Sequence, residues 1–215
     1  MIYIHHHLGL GDHIVCNGLV RTLYDQQGEV TLAVKIHNYS SVKQLYRDLE
    51  HIQFHKVTSD AECVPEYKKY PSIRVGFENC GSDWEKSFYE QVGLDYSVRF
   101  SRFFIDRDLN RERSLEEKLS LPKEFAFINK TSSTGSNQLP INTDLPEVEL
   151  QPLTDSIFDW IGVIEKATEI HTIDSSVFQL VKQLPVTGKK FFYDTRAVDP
   201  SRTIPTFEDE LWKIL

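Results

Sequence analysis

Met1-Ile-Tyr-Ile-His-His-His-Leu-Gly-Leu-Gly-Asp-His13 is the stretch on which the fold turns. Residues 2–7 read as a short strand. The histidine run belongs to it rather than to an appended tag, because it passes straight from Ile2-Tyr-Ile into a glycine-rich turn. Gly9-Leu-Gly-Asp12 is that turn. Over residues 13–26, Ile14, Val15, Gly18, Leu19 and Leu23 then fall on one stripe at helical spacing. A strand that runs through a glycine turn into a helix is how a doubly wound α/β unit begins.

The same alternation continues outward. Val30-Thr-Leu-Ala-Val-Lys-Ile36 is a nearly continuous apolar run, the pattern of a parallel strand buried on both faces. Ser40 can cap a helix over 41–49. Residues 52–57 make a third strand and 72–76 a shorter fourth, and Asp83 caps a helix over 84–92 that Gly93 ends. The stretch 106–118 is dense in charge of both signs and reads as a solvated helix and linker. A second alternation follows: strand 124–129, polar loop 130–137, strand 147–150, a helix from Asp155 or Ser156 to Ala167, strand 169–173, a helix from Ser176 to about 184, strand 189–193, and a last helix over 206–214 with Pro205 at its first position. The expected fold is α/β, with two Rossmann-like lobes, 1–120 and 121–215, whose mostly parallel sheets face across a cleft.

Composition narrows the partners. Hydrophobic residues make up 40% of the 215, enough for a real core. The formal charge of −8 argues against sequence-independent nucleic-acid binding, which needs clustered Lys and Arg. Cys16, Cys63 and Cys80 lie 47 and 17 residues apart, so they form no C-x-x-C pair, and their odd, low number fits a reducing cytoplasm. No apolar run reaches the roughly 18 residues of a membrane span, and the start lacks the pattern of a signal peptide.

Two loops at strand ends carry chemistry. In the first, Gly9 and Gly11 allow close backbone approach, but Ile14 stands where a dinucleotide fingerprint has its third glycine, so a plain NAD site is a poor fit. Asp12 in that turn would repel a pyrophosphate. It suits a general base or a hydrogen-bond acceptor, and ordinary helix capping explains it equally well. His7 and His13 flank it and are candidates to orient the acid or to bind a ligand hydroxyl. His5 and His7 project from one face of the strand and His6 from the other, which disfavours a metal site. In the second loop, Thr172-Ile-Asp174-Ser175-Ser176 puts two hydroxyls and the amides of a helix start after an apolar strand, an arrangement that suits a diphosphate. Asp-Ser capping is the plain alternative. Lys130-Thr131-Ser132-Ser133 is a third polar loop whose lysine could neutralise phosphate charge, with an ordinary solvent loop as the alternative. Ser156 and Asp155, at another helix start, could line the same pocket, and Arg196 could reach a phosphate.

Gly11-Asp12 at the first strand–helix turn, with Ile173-Asp174-Ser175-Ser176 before a helix far downstream, resembles the heptosyltransferase-like glycosyltransferases of the two-lobed GT-B fold. The resemblance implies that Asp12 is the general base, that Asp174, Ser175 and Ser176 bind the nucleotide diphosphate, and that Lys130, Thr131 and Ser132 assist. It implies inverting transfer of a sugar from a nucleotide-sugar donor to a hydroxyl of a saccharide or lipid-linked saccharide acceptor, in glycan, lipopolysaccharide or capsule-type synthesis, with no metal and no cofactor. Peripheral membrane contact is compatible with such an acceptor. The chain departs from that family in being short for two full lobes, in having Ser176 where glycine is usual, and in its histidine run. A nucleotide-sugar epimerase or hydrolase on the same fold, or a non-catalytic nucleotide- or carbohydrate-binding module, fits the same motifs.

Overall fold

The computed structural model describes residues 1–78, 80, 83–195, 207 and 211–215. Two units divide the chain, Met1–Asp106 and Arg107–Leu215.

The first unit is built on four strands, β1 (Ile2–His5), β2 (Val30–Lys35), β3 (Ile52–Val57) and β4 (Ser72–Arg74), ordered β3-β2-β1-β4 and all parallel. Strands that pair with parallel neighbours on both edges and lie under cover on both faces need apolar side chains throughout, and Ile4, Leu32, Ala33 and Val34 are fully buried. The order reverses between β1 and β4, so the loops that leave these two strands flank the crevice where open α/β sheets take ligands.

Helix α1 (Leu10–Val15) starts three residues earlier than the periodicity indicates, because Gly9, in extended backbone, takes the N-cap position. Gly11 and Asp12 therefore lie inside the first turn rather than before it. The helix breaks at Cys16 and resumes as α2 (Asn17–Gln27), which Gly28 ends in the left-handed conformation. Helix α3 spans Tyr39–Leu45, and its start is a 3₁₀ turn over Ile36–Asn38 rather than a Ser40 cap. A 3₁₀ segment over Asp60–Lys68 lays Cys63 and Tyr67 on the Tyr3 face of the sheet, where they join Leu8, Ala33 and Val57. This segment is polar and aperiodic and leaves no signature in the sequence. Helix α4 (Trp84–Glu90) is capped by Asp83, whose Oδ1 accepts from the Lys86 amide at 3.3 Å. The short α5 (Val98–Ser101) carries Arg99, which pairs with Glu85 in the unit's interior.

The charged stretch forms a helix in the second unit, exposed over most of its length as expected. Helix α6 (Leu109–Leu119) buries Leu115 and Glu112, and the charges on it and just before it find opposite partners on the elements it packs against: Arg107 meets Glu165 at 2.8 Å, Arg111 meets Asp159 at 2.7 Å, and Lys166 meets Glu116 at 2.6 Å. The last helix expected over 206–214 needs correction, being a strand at its far end: β11 (Trp212–Ile214) pairs in parallel with β10 (Lys189–Tyr193). Pro205, Thr206 and 208–210 lie outside the described residues, as does Arg196.

The second sheet comprises β5 (Ala126–Asn129), β8 (Glu147–Glu149), β9 (Glu169–Ile173), β10 (Lys189–Tyr193) and β11, ordered β11-β10-β9-β5-β8 and all parallel. The loop after β5 folds into a small antiparallel hairpin, β6 (Thr131–Ser132) with β7 (Gly135–Ser136). A 3₁₀ turn (Ile157–Trp160) leads into α7 (Ile161–Lys166), and α8 spans Ser176–Val181. Trp160 lies against Phe127, and Phe178 against Phe192 and Trp212, which fixes these helices to the sheet. Here the strand order reverses between β5 and β9. Among the described residues no helix is long and apolar enough to cross a membrane.

Candidate functional site

Each unit brings sequence-flagged residues to its own reversal point. In the first, three contacts hold the β1 loop. The Asn38 amide donates to the Leu8 carbonyl at 2.9 Å, His7 Nε2 donates to the Gly76 carbonyl at 2.6 Å, and the His7 ring lies against Phe77. Gly76 has φ +87, and a Cβ there would stand 2.6 Å from Phe88 and 2.7 Å from His7, so only glycine lets the two loops meet. Asp12 sits in the first turn of α1, partly exposed. A Cβ at Gly9 would stand 2.5 Å from Asp12 Oδ2, so the carboxylate folds back over the N-cap, as an acid at the third helical position does in a capping box. Asp12 is thus not the N-cap itself.

His13 is a correction. It is fully buried, edge-on to His6 with ring centroids 4.4 Å apart, and cannot reach a ligand. It projects inward from α1 because the helix starts at Leu10. Of the six ring nitrogens of His5, His6 and His13, His6 Nε2 and both His13 nitrogens have no hydrogen-bond partner among the described residues. Burial pushes the His6 imidazole down to about 4 and His13 well below its ordinary value. Among the described residues no three His, Cys, Asp or Glu side chains gather as a metal-binding group.

In the second unit one residue that the sequence reading passed over ties the loops together. Asn129, the fully buried last residue of β5, donates from Nδ2 to Ser175 Oγ at 2.8 Å and to Thr172 Oγ1 at 3.2 Å, while its Oδ1 accepts from the Thr131 amide at 3.3 Å. The two loops that flank the β5/β9 reversal are thereby one hydrogen-bonded construction. Ser175 Oγ also donates to the Ile173 carbonyl at 3.1 Å and accepts from the Phe178 amide at 3.3 Å as the N-cap of α8. One proton and two lone pairs are spent in these bonds, so this hydroxyl shapes the turn and has nothing left for a phosphate. Ser176, the first helical residue, and Asp174 before it are partly exposed at the same turn.

Lys130 lies where expected, yet its ammonium is held by Glu149 Oε2 at 2.9 Å. Glu149 ends β8, the strand beside β5, twenty residues after Asn129. An acid at the end of the strand beside the first one, about that far along, is where dinucleotide folds recognise a ribose hydroxyl; that spacing was the available signal. Thr131 and Ser132 form the β6 arm of the hairpin, with Ser132 Oγ 2.8 Å from Thr134 Oγ1. Ser156 is a second correction. It is buried, which keeps it from lining a ligand pocket, and it caps the 3₁₀ turn by accepting from the Phe158 amide at 3.3 Å; Asp155 beside it pairs with Arg111.

No family model matches the sequence, and no curated protein sequence does. Solved structures do. ADP-heptose lipopolysaccharide heptosyltransferase II from E. coli aligns over 100% of this chain and 89% of its own, with a TM-score of 0.53 and 10% identity. A family 9 glycosyl transferase from Veillonella parvula DSM 2008 aligns over 100% and 86%, with a TM-score of 0.61 and 10% identity. The iron-containing dodecameric glycosyltransferase TibC from enterotoxigenic E. coli H10407 aligns over 99% and 61%, with a TM-score of 0.54 and 13% identity. At such identities the likeness is one of fold. The chain has the Rossmann-like α/β fold of these GT-B glycosyltransferases, as a highly divergent example.

Proposed function

We propose that the protein is a glycosyltransferase that binds a nucleotide-sugar donor on its second unit and a hydroxyl acceptor on its first. The observation that carries the reading is the Asn129 clamp, which joins the β5 and β9 loops at the point where such sheets take nucleotides. The donor's diphosphate would meet the backbone and Ser176 hydroxyl at the start of α8. Lys130 would turn from Glu149 toward it, and Glu149 would take the ribose hydroxyls. Asp12 would accept the acceptor proton as the oxygen attacks the anomeric carbon and the nucleoside diphosphate leaves, which inverts that centre. Fixed amides and one ammonium would offset the charge that develops on the leaving group, without a metal or cofactor. Glycan or lipopolysaccharide-type acceptors, a cytoplasmic site of action compatible with three unpaired cysteines, and at most peripheral membrane contact belong to the same reading.

A thermal-shift screen against ADP, UDP, GDP, CMP and their common sugars tests it. Ligand at about 100 times its dissociation constant adds about 2.7 kcal/mol, a shift of several degrees. Ser176→Asp is the control: an acid at the first helical position favours the helix while it repels a diphosphate, so the fold should hold and the shift should vanish. No shift with any nucleotide, or one that survives Ser176→Asp, would remove the donor site.

A further inference from the structure

Beneath the Asp12 turn lies a buried histidine pair whose hydrogen bonding is incomplete. His6 Nδ1 lies 2.6 Å from the His7 carbonyl. A carbonyl only accepts, so Nδ1 carries the proton of the neutral ring and Nε2 is left with a lone pair. That lone pair meets no donor among the described residues, and neither nitrogen of His13 has a partner there. Both rings are fully buried and touch edge-on. Unpaired polar atoms at this depth are uncommon and costly, because water is lost and nothing replaces it.

The surroundings offer a proton no counter-charge. His5 and His7 flank His6 along the chain, and the charges felt by His6 and His13 come from histidines alone. From α3, Tyr46 Oη donates to the His13 carbonyl at 3.5 Å; from α4, Tyr89 Oη donates to the Val15 carbonyl at 2.6 Å; and Arg99 of α5 is paired with Glu85. The Cys16 thiol at the end of α1 is buried as well, and the Asp12 carboxylate lies over Gly9. A proton on either ring therefore puts an uncompensated charge in the interior, and a second proton adds like-charge repulsion to it.

The element that gives way most readily is the start of α1. A helix of six residues is far too short to be stable alone, so α1 persists through its packing. Gly9 supplies no side-chain cap, and the helix stops at Cys16 before α2 begins. We propose that Leu10–His13 is a proton-operated latch: it is closed on the end of β1 while both rings are neutral, and it opens when both are charged, taking Asp12 away from the strand ends. That opening would halt sugar transfer rests on the reading of Asp12 as the base; the opening itself does not.

Native-state hydrogen exchange on the whole chain, read by NMR at pH 7.5 and 5.5, without urea and with urea below the unfolding transition, tests the latch. The reporters are the His13 and Cys16 amides, which donate to the Gly9 and Asp12 carbonyls at 3.2 and 2.8 Å, set against the amides of β2, between β3 and β1. Each proton taken up on opening multiplies the open population by up to about tenfold per pH unit. Two histidines that titrate near 6.5 when exposed and far lower when buried raise it roughly 100-fold between pH 7.5 and 5.5. Protection of the two α1 amides should therefore lie below that of β2 at both pH values, fall by that factor, and barely change with urea, because a local opening exposes little surface. His13→Phe should leave a fall of about tenfold at most. Protection in α1 equal to that in β2, with the same urea dependence, would mean that only global unfolding exposes the pair and would overturn the proposal. So would α1 protection that is level between the two pH values, or an undiminished fall in folded His13→Phe. The first two outcomes are read from the unsubstituted chain, so they decide the matter if His13→Phe does not fold. Activity enters none of them, so failure of the glycosyl-transfer reading leaves the result standing.

Discussion

Asp12→Asn should lower the turnover of sugar transfer by roughly 10²–10⁴-fold, the usual contribution of a general base, and leave nucleotide affinity within about twofold. The substitution is nearly isosteric. The side chain at the third position of α1 folds back over Gly9, and an amide oxygen can accept in the same place, so the helix start should persist. What the amide cannot do is take up a proton at neutral pH. Donor KM should therefore hold while kcat falls, which identifies an interaction made in the transition state alone. Steady-state kinetics with each variant, together with melting temperatures, provide the check. A loss below tenfold would mean that Asp12 only organises the turn.

The second large effect is on stability. His6 and His13 are fully buried and in ring contact, and neutral imidazole is the form the interior tolerates. In the unfolded chain both titrate near 6.5. Because burial lowers their folded values, to about 4 for His6, the unfolded state binds more protons below pH 6.5, and stability must fall as pH falls through that window. Each histidine contributes about 1.4 kcal/mol per pH unit. The pair together should remove about 3 kcal/mol between pH 6.5 and pH 5, a large part of the total for a protein of this size. His5 and His171, also lowered by burial, act in the same direction. Urea denaturation at pH 7.5, 6.5, 5.5 and 5.0 measures the slope. His13→Phe should flatten it by about one histidine's share. A stability that is level from pH 7.5 to 5 would contradict the burial of this pair.

Legibility in the sequence followed the physics of each element. Parallel strands advertise themselves, since burial on both faces demands unbroken apolar runs such as Val30–Lys35, and the glycine turn at Gly9–Gly11 marks the first crossover. Caps were legible as residue types but not as positions: Asp83 caps its helix, while Asp12 lies three residues inside one. Elements held by partners distant in the chain were not legible. The charges on and just before α6 read as a solvated surface, and their partners Glu165, Asp159 and Lys166 come beside them only in the fold. The 3₁₀ segment at Asp60–Lys68 has no periodicity, so its packing of Cys63 and Tyr67 against Tyr3 could not be foreseen. Asn129 escaped notice because a single amide at a strand end has no local signature; its role exists only once Thr172 and Ser175 arrive 43 and 46 residues later.

Chemical-shift mapping with isotope-labelled protein, titrated with the nucleoside diphosphate that most raises the melting temperature, tests the donor site most directly. The expected result is a saturable set of amide shifts centred on Asn129–Ser132, Glu149 and Asp174–Ser176, absent in Ser176→Asp. Shifts centred on the β1 loop and Gly76 instead, or no saturable shifts at all, would contradict the assignment of the donor to the second unit.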